Sequence, residues 1–335
     1  MRILVTGGAG FIGSNFIRYV LRVFPKAHIL NFDLLTYSGN LDNLTDVKDN
    51  KQLQFLKGDI TNNRQVDKAF VLFKPTHIIN FAAETHVDRS IHGGASDFVR
   101  TNIMGVQCLL EAVRKHKIEK MVHVSTDEVY GSLSIGAKKK FTELNQFLPN
   151  SPYAASKAGG DLLCRAYYET WGVPVVVTHS TNNFGPYQYP EKLIPFFILR
   201  LLEGKKVPLY GDGKNVRDWL YVEDHCEALL LTLQKGVPGE RYNIGSSNER
   251  SNVQITKMLL AHFNKGKDWI EYVADRPGHD RRYALDASKI RKELGWKPRF
   301  SFEKAFAETA HWYIDNPSWL KKLAKKHKKI NTHIK

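Results

Sequence analysis

The sequence has little cysteine and no long apolar run. Its three cysteines, at positions 108, 164 and 226 of a 335-residue chain, form no CxxC pair. This odd number and wide spacing indicate neither a disulfide framework nor a zinc site, so we expect no bound metal and a reducing, cytoplasmic setting. No stretch is apolar for long enough to span a bilayer, and the first residues lack the pattern of a secretory signal. These absences argue against a disulfide-rich secreted protein and against a membrane protein.

Acidic residues are outnumbered by basic ones. The chain has 49 Lys and Arg against 34 Asp and Glu, a net charge of +15. Residues 320–335 hold seven lysines and no acid, so the other residues together carry about +8 (15 less 7). That remainder suits a protein that binds an anionic substrate or cofactor. For the lysine-rich end we favour a solvated terminus over a surface for nucleic acid or anionic lipid, because no RNA-binding or zinc-finger motif accompanies it.

Short apolar runs alternate with amphipathic stretches in the first half of the chain. Several runs are rich in Val and Ile on both faces, which is typical of strands covered on both sides of a sheet. The predicted strands span residues 3–6, 28–32, 54–56, 77–81, 121–125 and 173–178, and the predicted helices include 14–24 and 102–116. This alternation predicts an α/β fold with a Rossmann-type, doubly wound parallel sheet.

After residue 183 the pattern changes, and Gly and Pro separate short segments. This punctuation predicts a smaller, mixed α/β lobe, and the length of the chain fits one large domain or two fused lobes. We expect a Rossmann domain over 1–182, with a segment of about 215–245 packing back on it. A substrate-binding lobe over 183–319 and a basic tail over 320–335 would complete the chain.

The reason to expect a dinucleotide is a glycine-rich segment between the first predicted strand and the first predicted helix. Residues 7–13 read GGAGFIG, which is GxGxxG from Gly8 and GxxGxxG from Gly7. Such glycines permit a tight turn and let backbone N–H groups approach a pyrophosphate at the helix N-terminus. Gly13 lets the helix pack close to the strand. The alternative is a glycine-rich turn without a ligand.

Asp33 follows the second predicted strand, 20 residues after Gly13. A carboxylate at this point accepts hydrogen bonds from a ribose diol and repels a 2′-phosphate. Leu34 and Leu35 add no positive charge, so the segment favours NAD over NADP.

Two later strand ends point to the same crevice. Asp59 and Ile60 suit the adenine edge, by a hydrogen bond and an apolar contact, and the small Ala82 and Ala83 allow close approach of the backbone. Both pairs could equally be ordinary strand ends.

A candidate base lies on a helix that Ser151 and Pro152 begin, as an N-cap and as the first helical residue. Tyr153 and Lys157 are four residues apart and share a face of this helix. An ammonium beside a phenol favours the phenolate and lowers the pKa of the phenol. Tyr153 can then take a proton from a sugar hydroxyl while hydride leaves the same carbon.

The glycine motif, Ser125-Thr126, Tyr153 and Lys157 together resemble the extended short-chain dehydrogenase/reductase superfamily. The resemblance extends to about residue 306, with a departure at Leu34, where many members have a polar residue. It implies that Tyr153 is the base, that Lys157 holds the nicotinamide ribose and that the Ser/Thr pair assists at the sugar hydroxyl. The implied cofactor contacts are Gly7, Gly10, Phe11, Ile12, Gly13, Asp33, Leu34, Thr36, Asp59, Ile60, Ala82, Ala83, Thr101, Tyr153, Lys157 and Asn183.

Two adjacent acids, Asp127 and Glu128, follow Thr126, and this segment looks like the signature of the dTDP-glucose 4,6-dehydratase family. Carbon 5 of the hexose becomes acidic once carbon 4 is a ketone. The resemblance assigns removal of that proton to Glu128, and protonation of the departing carbon 6 hydroxyl to a neutral Asp127, before hydride returns to carbon 6. A closed site and a neighbouring like charge push two carboxyl pKa values apart in this way. The alternative is two acids that cap a loop after a strand.

The same resemblance implies a nucleotide-sugar site. The expected substrate contacts are Glu84, Thr126, Asn182, Lys192, Leu193, Pro208, Tyr210, Arg217, Asn252, Asp275, Arg276 and His279. Arg217 and Arg276 suit a diphosphate, because a guanidinium binds phosphate oxygens bidentately, unless each makes only a surface ion pair. By resemblance we also expect a homodimer, and neither a nucleic-acid nor a membrane partner.

Three readings of the function compete. The first is dehydration of dTDP-glucose, with UDP-glucose as a close variant, and the choice of thymine over uracil depends on resemblance alone. A sugar-nucleotide 4-epimerase needs Tyr153 and Lys157 but not the pair Asp127 and Glu128. A non-enzymatic NAD-fold protein that binds nucleic acid through its basic end requires none of these four residues.

Overall fold

The structure is a computed structural model that describes residues 1–275 and 277–326. Its strands are β1 (Arg2–Thr6), β2 (His28–Asp33), β3 (Leu53–Lys57), β4 (His77–Asn80), β5 (Lys120–Thr126), β6 (Val175–Ser180), β7 (Asn182–Phe184), β8 (Val207–Tyr210), β9 (Val216–Tyr221), β10 (Arg241–Ile244), β11 (Glu249–Ser251) and β12 (Ile270–Val273). A seven-stranded sheet has the order β10-β6-β5-β4-β1-β2-β3, and its neighbouring strands are parallel. The order reverses between β1 and β4, so a crevice opens at their carboxyl ends.

Helices cover both faces of this sheet. The α-helices are α1 (Phe11–Val23), α2 (Asn63–Phe73), α3 (Val87–His92), α4 (Ser96–Val99), α5 (Gly105–His116), α6 (Pro152–Trp171), α7 (Leu193–Leu202), α8 (Val222–Lys235), α9 (Asn252–His262), α10 (Ser288–Leu294), α11 (Phe302–Asp315) and α12 (Pro317–Lys326). One buried cluster joins the sheet to α1, α8 and α10, and a second joins it to α2, α5 and α6.

The side chains of β1 show why the strand is apolar throughout. Ile3 and Val5 lie in the cluster with α1 and α8, whereas Leu4 lies in the cluster with α2 and α5. Successive residues of a strand point to opposite faces, so a strand covered on both sides buries every apolar side chain. This pattern is the one expected for a doubly wound parallel sheet.

A smaller lobe lies beyond the carboxyl edge of the main sheet. Strands β11, β9 and β7 form one small sheet, and β12 pairs with β8 in another. Phe184, Phe197, Trp219 and Phe306 belong to a third apolar core, which joins these strands to α7, α9 and α11. The mixed lobe thus has its own core and stands over the crevice side of the sheet.

The predicted fold class is confirmed, with changes at the element ends. The first helix starts at Phe11 rather than at 14, because Gly10 is its N-cap. The helix predicted over 102–116 begins with a π-helical turn over Arg100–Met104 and continues as α5. Of the segment 215–245, α8 and β10 pack with the main sheet, whereas β9 pairs in the small sheet. The division of the chain at residue 182 stays a prediction.

The predicted basic tail requires a correction. The sequence predicts a solvated terminus from residue 320 onward, whereas the structure has a helix, α12, over Pro317–Lys326. Leu320 and Leu323 are buried, and Leu320 joins the core of the smaller lobe. Lys321, Lys322 and Lys325 therefore occupy the outer face of an amphipathic helix, and residues 327–335 lie outside the described residues. Within the described ranges, no helix combines the length and apolar character needed to cross a membrane.

Candidate active site

The glycine turn packs tightly between β1 and α1. Gly7 has a φ of 69°, and a Cβ built on it would lie 2.6 Å from the backbone nitrogen of Ala82. A Cβ on Gly13 would meet the carbonyl oxygen of Gly7. Gly10 caps α1 without a side-chain hydrogen bond, so the first N–H groups of the helix stay available for an anion. The turn fits the pyrophosphate of a dinucleotide.

Asp33 ends β2 beside this turn. Its carboxylate accepts hydrogen bonds from the backbone N–H of Ala9 at 2.9 Å and of Leu35 at 2.7 Å. Burial raises the pKa of Asp33, and these two hydrogen bonds oppose the rise. The side chain is thereby oriented by the loops on either side of it, as a ribose-binding carboxylate has to be.

A cavity of about 300 Å³ opens between the glycine turn and the carboxyl ends of the strands. It is lined by all the residues expected to bind a cofactor: Gly7, Gly10, Phe11, Ile12, Gly13, Asp33, Leu34, Thr36, Asp59, Ile60, Ala82, Ala83, Thr101, Tyr153, Lys157 and Asn183. Glu84 and Thr126, which we expected on the substrate side, line it too. This cavity has the composition expected for an NAD site.

A second cavity, of about 170 Å³, lies between the sheet and the smaller lobe. The expected substrate residues that line it are Asn182, Lys192, Leu193, Pro208, Tyr210, Arg217, Asn252 and His279. Glu128, Asn182, Glu191 and Lys192 line both cavities, so the two meet at a common wall. A sugar at this wall would lie beside a cofactor in the first cavity.

Helix α6 brings the candidate base to the cavity. The Ser151 hydroxyl accepts the Ala154 N–H at 3.1 Å, and Pro152 is the first helical residue. Tyr153 and Lys157 are both buried, and the Lys157 ammonium donates a 2.8 Å hydrogen bond to the carbonyl of Val124. The helix start expected from the sequence is therefore present.

The pKa of Tyr153 differs from our expectation. Burial and the Glu128 charge raise the pKa of this phenol, and a hydrogen bond with Thr126 only partly opposes the rise. Lys157, which we expected to lower it, directs its ammonium to Val124. Without a ligand the phenol is therefore protonated at neutral pH, and forming the phenolate requires added positive charge in the cavity.

The two acids form the start of a short 3-10 helix, Asp127–Tyr130, directly after β5. Thr126 caps this turn, since its hydroxyl accepts the Glu128 N–H at 3.3 Å. Asp127 is 2% exposed, and burial together with the Glu128 charge raises the pKa of Asp127 well above its ordinary value. Glu128 is half-buried and lines both cavities. Burial thus favours the protonated form of one carboxyl group, beside another that lines both cavities.

Arg217 is the buried cation of the second cavity. It is 5% exposed, and its guanidinium donates to the carbonyls of Val216 at 2.8 Å and Asp280 at 2.9 Å. The guanidinium also stacks over Tyr283, 4.4 Å from the ring centroid. The alternative that Arg217 makes only a surface ion pair is wrong, because the side chain is inside the lobe.

One expected substrate residue, Asp275, has another placement. Asp275 lines neither cavity, and its Oδ1 lies 2.5 Å from Nδ1 of His279. It therefore contacts the cavity wall at His279. Arg276, the second expected diphosphate ligand, lies outside the described residues.

Several lining residues were not expected from the sequence. Glu191 lies on the wall between the cavities and accepts a 3.0 Å hydrogen bond from the Tyr37 hydroxyl. Tyr283 lines the second cavity under Arg217. Neither residue belongs to a sequence motif with a recognisable spacing. Glu191 could have been predicted, because it directly precedes Lys192, an expected substrate residue.

Known proteins are similar to this chain over nearly its whole length. Residues 4–309 match the GDP-mannose 4,6 dehydratase family. The chain is 51% identical over 327 residues to a dTDP-glucose 4,6-dehydratase of Streptomyces niveus, covering 96% of both proteins. It is similar to the structure of a dTDP-glucose 4,6-dehydratase from Bacillus anthracis in complex with NAD, with 50% identity, a TM-score of 0.90 and 96% and 99% of the two chains covered. A dTDP-glucose 4,6-dehydratase from Streptomyces venezuelae, also with NAD bound, has 47% identity and a TM-score of 0.93, with 96% and 100% covered.

Proposed function

Because the chain belongs to the dTDP-glucose 4,6-dehydratase family, we propose that it converts dTDP-glucose into dTDP-4-keto-6-deoxy-glucose and water. It is a hydro-lyase of deoxysugar biosynthesis, and its cofactor is NAD. The observation that carries the proposal is the pair of unlike carboxyl groups: Asp127 is buried with a raised pKa, and Glu128 faces the wall that both cavities share.

The cofactor would be held by the glycine turn, by the start of α1 and by Asp33. When bound, NAD supplies a positively charged ring that accepts a hydride from carbon 4 of the hexose and later returns it to carbon 6. Tyr153 takes the proton of the carbon 4 hydroxyl, and positive charge in the cavity favours the phenolate that does so. Thr126, whose side chain acts to lower the pKa of Tyr153 and which lines the same cavity, is placed to assist at the same hydroxyl.

The acids carry out the elimination. Glu128 takes the carbon 5 proton, which the carbon 4 ketone has made acidic, and the electron pair of that bond forms the carbon 5–carbon 6 double bond. The carbon 6 hydroxyl leaves with the proton of Asp127 as water. Glu128 then returns its proton to carbon 5 as carbon 6 is reduced. This sequence requires one protonated and one ionised carboxyl group at the start, and the raised pKa of Asp127 supports that division.

The second cavity suits the nucleotide diphosphate. Arg217 brings a buried guanidinium to it, and Lys192 lies at its border with the first cavity. Arg276 stays a proposed diphosphate ligand. The preference for thymine over uracil is proposed from the relatives, and comparison of kcat/KM for dTDP-glucose and UDP-glucose tests it.

Incubation of the purified protein with dTDP-glucose tests the reaction. Proton NMR of the product should show a 4-keto sugar with a carbon 6 methyl group. A galactose product would instead indicate a 4-epimerase, which needs Tyr153 and Lys157 but not the acids. No turnover of any nucleotide hexose, with tight RNA binding, would favour the non-enzymatic reading.

We also propose a cytoplasmic homodimer. Support comes from apolar side chains on the outer surface around α5 and α6, where Met104 and Leu162 are 55% and 56% exposed. Exposed apolar groups of this size are common where a second subunit binds. Light scattering should give twice the mass of one chain, and Leu162→Glu should shift the protein toward monomer.

A further inference from the structure

A buried carboxylate behind α6 has no part in the steps above. Asp161 is 3% exposed, and its Oδ2 accepts a 2.8 Å hydrogen bond from the Ser125 hydroxyl and lies 3.0 Å from Nε2 of His179. Its Oδ1 lies 3.4 Å from Nε2 of His123. A carboxylate away from water is costly unless charges and hydrogen bonds compensate it.

Helix α6 attaches to β5 at two consecutive residues. Lys157 donates to the carbonyl of Val124, and one helical turn later Asp161 accepts from the side chain of Ser125. The acid pair comes directly after the end of this strand, and the proposed base, Tyr153, precedes Lys157 on the same helix. These two contacts therefore set the register between the base and the acids.

The charge of Asp161 also acts on Lys157. Burial lowers the pKa of Lys157, whereas the Asp161 carboxylate raises it. Burial acts to raise the pKa of Asp161, but contacts from His123 and His179 outweigh it and hold the pKa below its ordinary value. Burial and the Lys157 charge lower the pKa of His123 to about 4, so His123 is neutral at pH 7. Burial raises the pKa of Cys164, which keeps its proton.

We propose that Asp161 is a positioning residue: it places a carboxylate one helical turn from Lys157 and holds α6 in register on β5 through Ser125. The inference rests on the proposed function, since Lys157 matters to the reaction as the neighbour of Tyr153. Asp161 itself lines neither cavity and touches no substrate.

The first test compares Asp161→Asn with Asp224→Asn. Asp224 is a matched control, because it is 2% exposed, accepts the Arg299 N–H at 2.8 Å and lines neither cavity. Without the carboxylate, Lys157 loses its proton at lower pH. The fall of kcat on the alkaline side of the pH profile should therefore begin about one pH unit or more lower. KM should change less than kcat. Asp224→Asn should lower the free energy of unfolding but leave the pH dependence of kcat unchanged. A folded Asp161→Asn protein whose kcat keeps the wild-type pH dependence would overturn the proposal.

A second test does not depend on activity. In a urea-unfolding cycle, Lys157→Met combined with Asp161→Asn should be more stable than Asp161→Asn alone, because it removes the unpaired buried ammonium. If Asp161→Asn does not fold, a folded double variant supports the inference, and an unfolded one contradicts it. If the wild-type protein does not act on dTDP-glucose, the proposed function is wrong. The unfolding cycle would then still test the coupling between Asp161 and Lys157.

Discussion

The Oδ1 atom of Asp127 lies 3.3 Å from the hydroxyl of Thr126, and among the described residues its Oδ2 has no hydrogen-bond partner. A buried carboxylate with one weak partner is much costlier than the neutral acid. Burial and the Glu128 charge therefore raise the pKa of Asp127, and the Arg217 charge and the Thr126 hydrogen bond offset only part of the rise.

Asp127→Asn should make the protein more stable at neutral pH. The folded pKa of Asp127 lies above the ordinary value of 3.8, so the folded state binds the proton more tightly and wild-type stability falls as the pH rises from that value toward the folded pKa. Asparagine has no such dependence, and the stability difference should grow with pH over this window. Thermal unfolding from pH 4 to pH 8 checks this, with the exposed Asp49→Asn as control. A difference that stays constant across the series would contradict a raised pKa.

Glu128→Gln should separate oxidation from elimination. The amide cannot accept the carbon 5 proton, so loss of water should slow by about 10² to 10⁴-fold. Oxidation at carbon 4 uses Tyr153 as the base and does not need Glu128, so absorbance of the reduced cofactor should build up with substrate. Stopped-flow absorbance with NMR of the products measures both. Glu119→Gln, at a side chain 65% exposed, is the control, and undiminished dehydration by Glu128→Gln would remove Glu128 from the role of base.

Tyr153→Phe should stop the reaction before oxidation. The variant keeps the ring and its edge contact with Phe98, whose centroid lies 6.4 Å away, so the fold should survive. Without the hydroxyl the carbon 4 proton has no acceptor, and no reduced cofactor should appear on mixing with dTDP-glucose. Rapid-mixing absorbance measures this, and substrate affinity from calorimetry should change little. Reduced cofactor forming at the wild-type rate would show that another group is the base.

Asp33→Asn should weaken NAD more than NADP. The amide lacks the charge that strengthens hydrogen bonds to a ribose diol, a loss of about 1.5–3 kcal/mol, or roughly 10- to 100-fold in affinity. It also removes the repulsion of a 2′-phosphate. Calorimetry of both dinucleotides on cofactor-free protein gives the ratio. Equal losses for NAD and NADP would mean that Asp33 supports the glycine turn and does not select the cofactor.

The sequence predicted which residues line the cofactor cavity better than it predicted the pKa values of those residues. Gly7, Asp33 and Ala82 end strands of one parallel sheet, and such ends meet at one edge, so motif positions were sufficient to place them. Asp161 and its two histidines come from three separate elements without a common spacing, and only the packed sheet brings them together.

Side-chain direction and burial account for the remaining differences. Tyr153 and Lys157 have the predicted spacing, but the ammonium turns to a backbone carbonyl and burial dominates the pKa of the phenol. The many lysines after residue 320 predict a solvated terminus. The spacing of Leu320 and Leu323, which are both buried on one face of α12, is the signal that this prediction left out.

The last described helix, α12, reaches the segment between β2 and β3. Trp319 donates a 3.1 Å hydrogen bond to the side chain of Asn43, whose amide donates at 2.9 Å to the carbonyl of Ala9 in the glycine turn. During synthesis on the ribosome, the start of the chain emerges long before Trp319 does. The turn therefore receives this brace only after Trp319 has been synthesised, and a chain truncated before Pro317 would lack it.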